Sequence, residues 1–220
     1  MLQWLSRKAP VIHQVVQYFN TVPLPANDTP ATDCPFLVID LELTGLNEKR
    51  DHIVSIGWVP VRQQQIILSD ARYYLIRAPV SVGQSAVFHG VHDKHLVNAR
   101  DLSDVLIELM QTYAGYIFVA HHSQLEQRFL KIACQRCFGT APRLRFIDTM
   151  QIEWLRLSQQ GKVMTREGVR LPGCLKRHKL PLSEQHHALE DAYGCALLLL
   201  SQIKQSHPTL TLGDLYHQSR

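Results

Sequence analysis

Apolar residues crowd into short runs through the first half of the chain and recur at helical spacing through the second. Phe36–Leu41 (FLVIDL) is an apolar run that reads as a strand buried on both faces. "HIVSIGWVPV" (His52–Val61) and "ARYYLIR" (Ala71–Arg77) read as two more. The short polar connection Arg62–Gln65 favours a hairpin, with "QIILS" extending one of these strands. "GYIFVAH" (Gly115–His121) and "LRFIDT" (Leu144–Thr149) are further strand candidates. Helical periodicity covers Asp101–Tyr113, Gln124–Phe138, about residues 150–158 and about residues 186–204. Three sequential strands are thus followed by helix, strand, helix, strand and two helices. That order predicts an α/β fold: a mixed five-stranded sheet, built from a three-strand antiparallel meander plus parallel strands with helical crossovers, flanked by helices.

Upstream, Leu2, Trp4, Leu5, Val11, Ile12, Val15, Val16 and Phe19 suit an amphipathic helix, with Pro10 as a break or restart. The proline-rich stretch Thr21–Pro35 reads as a linker. The expected division is an arm and linker over residues 1–33, a main domain over 34–210 and a tail over 211–220. The arm either packs on its own domain or docks a protein partner.

Composition narrows the class. With 45% apolar and 19% charged residues the chain has the profile of a folded domain rather than a disordered one. A spanning helix needs roughly 18–20 apolar residues in a row, far more than "ALLLL" (Ala196–Leu200) supplies. Arg7, Lys8, Pro10 and His13 break the N-terminal apolar residues, so no signal core forms. Five scattered cysteines do not make a disulfide framework. A soluble cytoplasmic protein with no membrane association is expected. The net charge of +4, with twelve histidines uncounted, permits a polyanionic partner without singling one out.

Three acidic groups carry the candidate chemistry. Asp40 and Glu42 stand two apart on a strand, so they share a face and repel. A hard divalent cation would resolve that conflict, although D-x-E alone is commonly a solvated strand end. Glu126 falls in the first turns of a helix just past a strand, where the helix dipole favours an acid on its own account. His186 and Asp191 lie five apart at the start of a helix that turns strongly apolar. Asp191 is expected on its buried side, with His187 and Glu190 outward.

Taken together these groups resemble the DEDDh 3′–5′ exonucleases, the family of the proofreading subunit of bacterial DNA polymerase III. The family's D-x-E-T-x-G reads here Asp40-Leu41-Glu42-Leu43-Thr44-Gly45; its H-N-x-x-F-D reads His121-His122-Ser123-Gln124-Leu125-Glu126; its H-x-A-x-x-D-A reads His186-His187-Ala188-Leu189-Glu190-Asp191-Ala192. "FHGVHDKHL" (Phe88–Leu96) and "FIDT" (Phe146–Thr149) match its flanking segments. Leu43, His122 and Glu126 depart from the usual Thr, Asn and Asp. The resemblance implies a ribonuclease H-like fold and hydrolysis of phosphodiester bonds with two divalent cations, Mg²⁺ with Mn²⁺ as substitute, releasing nucleoside 5′-monophosphates from 3′ ends. It implies Asp40 as bridging ligand, Glu42 and Asp191 completing the first metal, Glu126 at the second directly or through water, and His186 as general base. Thr44, Gly45, Leu46 and His89 would border the terminal nucleotide. Single-stranded DNA is the favoured substrate; short RNA and a non-catalytic, nucleic-acid-binding polymerase accessory are the alternatives.

Two weaker features complete the reading. Cys134 and Cys137 form one C-x-x-C within a helix, without the second pair a zinc site needs. Gly161–Pro172 and Lys176–Lys179 are basic and, grouped with Arg143 and Arg145, either track phosphates or form a solvated loop.

Overall fold

A computed structural model describes residues 14–81, 83–85, 87, 90–92, 94, 96–163, 165, 167–182 and 187–220. Alternation along Phe36–Leu43 (β1) sets its layout. Leu37, Ile39, Leu41 and Leu43 enter one apolar core, while Phe36 and Val38 enter another on the opposite face. Asp40 and Glu42 continue the second face, so the strand's apolar side gives way to carboxylates near its carboxyl end.

β1 pairs antiparallel with Ile53–Arg62 (β2) and parallel with Ile117–Ala120 (β5), which pairs parallel with Phe146–Asp148 (β6). Two strands share the outer edge of β2: Gln65–Ile66 (β3) pairs with Val61–Arg62, and Arg72–Leu75 (β4) pairs with Ser55–Trp58. Five positions across the sheet therefore hold six strands, in the order β3 or β4, β2, β1, β5, β6. The expected extension "QIILS" shrinks to the two residues of β3 before a turn at Leu68–Asp70.

Helix α1 (residues 14–21), Leu102–Thr112 (α2) and Gln124–Phe138 (α3) cover one face of the sheet. Thr149–Gln159 (α4), Ala188–Gln205 (α6) and Leu212–Gln218 (α7) cover the other. The described part of the N-terminal arm packs on this domain: Val15, Val16 and Phe19 are buried, and Phe19 meets Phe118 edge-on at 6.2 Å. Burial of three such side chains, about 1.5–3 kcal/mol each as an upper estimate, exceeds what a two-turn helix supplies by itself. Residues 1–13 lie outside the described residues.

Two segments differ from expectation. Residues 211–220, expected as a tail, hold α7, whose Leu212 and Leu215 are buried and whose Thr211 and Asp214 form a reciprocal cap. The stretch read as basic loop contains helix Leu171–Arg177 (α5). Pro172 falls in its first turn, where a missing N–H costs nothing, and Cys174 and Leu175 pack on Leu198. All five cysteines are free, and burial pushes the Cys134 thiol up to about 12, as suits a packing residue. Among the described residues no helix is long and apolar enough to cross a membrane.

Candidate active site

The carboxyl ends of β1, β5 and β6 lie together, and the acids gather at that edge. Asp40 and Glu42 come from β1, Asp191 from the first turn of α6. One carboxylate oxygen from each lies within 4.8 Å of the others, and all three residues are half-buried. Asp191 reaches β1 because α6 begins pressed against the sheet. Gly57 of β2 pairs with Asp40 on one side and Tyr73 on the other. A Cβ at Gly57 would stand 2.3 Å from the Ala188 carbonyl carbon and 2.3 Å from the Leu189 nitrogen. Only glycine lets the helix start approach this closely.

Glu126 is the fourth acid, in the first turn of α3 and only 3% exposed. Its Oε2 is buried with no hydrogen-bond partner among the described residues. It stands outside the three-residue group yet is felt by it. Burial, then the charges of Glu126, Glu42 and Asp191, hold the Asp40 carboxyl well above the usual range. Burial, with Asp191, lifts Glu42 to about 7. Burial, with Asp148, lifts Glu126 to about 8. Four oxygen-donor side chains that cannot all ionise without compensation suit a hard divalent cation.

The turn that delivers Glu126 is held by Asp148, at the end of β6 and 2% exposed. Its carboxylate accepts from the backbone N–H groups of His122 (3.1 Å) and Ser123 (2.8 Å) and from the Ser123 hydroxyl (3.1 Å). It also caps α4 through Met150 N (2.9 Å) and Gln151 N (3.3 Å). His122 takes a left-handed backbone, φ 77°, which costs a non-glycine residue roughly 1 kcal/mol and persists because Asp148 grips its N–H. His121 is locked as well. Its Nε2 faces the Val169 carbonyl at 2.8 Å and its Nδ1 the Thr149 hydroxyl at 2.9 Å. A carbonyl only accepts, so Nε2 carries a proton, and burial lowers the ring's pKa.

Several expectations change here. His187, expected to face outward, is half-buried and stacks on Tyr73 at 4.1 Å, because the close approach at Gly57 brings the start of α6 over β4. Glu190 is exposed, as expected. Arg177 and His178, read as part of a basic loop, bind the buried Glu153 instead. Arg143 and Arg145 precede β6 and line a cleft with Asn20, Asn27 and Tyr216, at the sheet edge opposite the acids, so they do not join the basic segments. His186 and His89 lie outside the described residues. Thr44, Gly45 and Leu46 follow Leu43, the last residue of β1, and Leu46 is 74% exposed. Gly57 and Asp148 had a faint signal in the chain: a lone glycine inside a strand run and an acid at a strand-to-helix junction.

The RNase_T family model, described as an exonuclease, matches residues 37–199. The 3′–5′ exonuclease DinG of Staphylococcus epidermidis is 28% identical over 189 residues, covering 84% of this chain and 20% of that protein. The PolC-type DNA polymerase III of Thermotoga maritima is 27% identical over 176 residues, covering 80% of this chain and 12% of that protein. The chain thus spans a fifth or less of the length of these two relatives. Exonuclease X, solved in complex with 5′ overhanging duplex DNA, matches with a TM-score of 0.65 at 20% identity, over 84% of this chain and 99% of that one. The shared fold is ribonuclease H-like.

Proposed function

We propose that this chain, which belongs to the RNase_T exonuclease family, is a DEDDh-type 3′–5′ exonuclease that releases nucleoside 5′-monophosphates from DNA, with single-stranded 3′ ends preferred. Residues 34–210 would be its exonuclease domain. The observation that carries the reading is the convergence of Asp40, Glu42 and Asp191 within 4.8 Å, with Glu126 buried beside them.

Asp40, Glu42 and Asp191 would hold one Mg²⁺, Asp40 also facing a second held by Glu126. When bound, these cations supply charge stabilisation for the attacking and leaving oxygens of the phosphodiester. The chain's own work is orientation and proton transfer. His186, one residue before the Tyr73-stacked His187, would take the proton of the attacking water as general base. Glu126 replaces the usual aspartate; its extra methylene would be accommodated by the turn that Asp148 clamps. Thr44, Gly45 and exposed Leu46 would receive the terminal nucleotide, with His89 bordering it. The relatives' names, an exonuclease and a DNA polymerase, and the DNA in the exonuclease X complex favour DNA over RNA.

Digestion of end-labelled DNA and RNA oligomers with Mg²⁺, Mn²⁺ or EDTA tests this reading. Stepwise loss of 3′ nucleotides from DNA, abolished by EDTA, is expected. Binding without cleavage under every condition would mean a non-catalytic module, and cleavage of RNA alone would move the substrate to RNA.

A further inference from the structure

The nine residues between β1 and β2 form a loop tied to one side chain. The half-buried Asp51 accepts the Asn47 backbone N–H at Oδ2 (2.8 Å) and the Thr44 hydroxyl at Oδ1 (3.4 Å). Its own N–H donates to the Asn47 carbonyl at 2.7 Å. Thr44 is held in turn by His52, whose N–H donates to Oγ1 at 2.9 Å and whose carbonyl accepts the Thr44 N–H at 2.9 Å. Gly45 lies against the same carboxylate: a Cβ there would stand 2.5 Å from Asp51 Oδ2 and 2.7 Å from its Cγ. From the other side, Arg136 in the last turn of α3 donates Nη2 to the carbonyls of Lys49 (2.6 Å) and Glu48 (3.3 Å). The helix that carries Glu126 in its first turn therefore also anchors this loop.

We propose that Asp51 is a positioning residue for substrate. Its carboxylate replaces the missing Gly45 side chain as the filler of the loop, fixes Thr44 to Asn47 and thereby holds Leu46 in its exposed position. The proposal rests on the functional reading above, in which Thr44, Gly45 and Leu46 receive the terminal nucleotide. Among the described residues the Asp51 carboxylate bonds to Thr44 and Asn47 and not to Asp40, Glu42 or Glu126, so binding of the 3′ end and the hydrolytic step separate.

Steady-state kinetics on a labelled single-stranded DNA oligomer read that separation. Asp51→Ala is expected to raise KM about tenfold, the worth of one charge-assisted hydrogen bond, and to leave kcat within about twofold. Asp51→Asn keeps an acceptor for Asn47 N–H and offers an amide to Thr44 Oγ1, so it should recover most of that KM. Gly45→Ala alone should also raise KM, but should add nothing in the Asp51→Ala background, where its methyl meets empty space. A wild-type KM in Asp51→Ala, a loss confined to kcat, or an asparagine variant as impaired as the alanine one overturns the inference and leaves the proposed activity standing. If the wild-type chain cleaves no oligomer, the functional reading fails instead. Hydrogen exchange at Gly45 and Asn47 then reports on the scaffold directly: it should quicken in Asp51→Ala and not in Asp51→Asn, and equal rates in all three proteins overturn the inference.

Discussion

Two regions of this molecule bury carboxylates, and they treat them in opposite ways. Glu153 on α4 is 0% exposed and is surrounded by two arginines and a histidine. Arg156 donates to both of its oxygens, at 3.0 and 2.7 Å, Arg177 donates at 2.8 Å, and His178 lies at 3.0 Å. Burial pulls its pKa up, but the hydrogen bonds from His178 and Arg156 outweigh it and hold the carboxyl well below the usual range. The network ties α4 to the end of α5 and, through His178 and Ser201, to α6. At Asp40, Glu42 and Glu126 the shifts run the other way, upward, driven first by burial and then by neighbouring carboxylates. The chain sets two guanidiniums and a histidine against one buried acid, whereas in the cluster burial and neighbouring carboxylates push the acids upward, which suits an external cation.

The largest test of that contrast is removal of a cluster acid. Asp40→Ala or Asp191→Ala should cut turnover of a labelled oligomer by about three orders of magnitude or more, while the thermal midpoint of the metal-free protein stays level or rises as repulsion is relieved. An Asp40→Ala protein digesting at the wild-type rate would sink the assignment. Glu153→Ala should do the reverse. It strands two guanidiniums, each about three-quarters buried, and should cost about 3 kcal/mol in urea unfolding. Residual folded protein should keep its metal-dependent activity; unchanged stability would mean the network is ornamental.

The two regions should also titrate with opposite sign. Glu42 and Glu126 have folded pKa values raised to about 7 and about 8, so the folded state holds the extra protons. Their stabilising contribution is complete below the ordinary glutamate range and is lost as pH rises through those values. Glu153 is depressed, so its contribution is present above the ordinary glutamate pKa and is lost as pH falls. Melts of the EDTA-treated protein should therefore fall between about pH 5 and pH 8, and Mg²⁺ should remove most of that fall. In Glu153→Gln the loss at the acid end should shrink. A metal-free melt that rises steadily to pH 8 contradicts the raised carboxyl pKa values of the cluster. The smallest effect is expected from Glu126→Asp, which keeps the charge on a shorter arm: activity within about fivefold of wild type, a shift of about 1 kcal/mol. A dead Glu126→Asp beside an active Glu126→Gln would remove Glu126 from the metal site.

Much of the site was legible along the chain because its signals are local. The alternation in Phe36–Leu43 put Asp40 and Glu42 on one face without any knowledge of what lay above them. The helical spans Asp101–Tyr113 and Gln124–Phe138 agree with α2 and α3 to within a residue at each end. Where the reading failed, the deciding partner was remote. Arg177 and His178 looked like free basic residues because Glu153 stands more than twenty positions away. His187 looked outward because the helix period alone could not reveal Tyr73. Helix α5 is short and opens on a proline, and α7 draws its stability from burying Leu212 and Leu215, so neither had a strong period of its own.

By itself, then, the sequence determined the strand and helix types, the face on which Asp40 and Glu42 stand and the motif residues themselves, because side-chain direction in a strand or helix follows from local geometry. Only the tertiary structure decided that Asp191 meets them within 4.8 Å, that Glu126 sits beside them with its Oε2 unpartnered among the described residues, and that Glu153 has three partners. Those outcomes hang on close approaches between elements distant in the chain, such as α6 over Gly57 and the Asp148 grip on the turn before α3. Whether a buried charge is compensated depends on what packs within a few ångströms of it, and no period along one strand or helix records that.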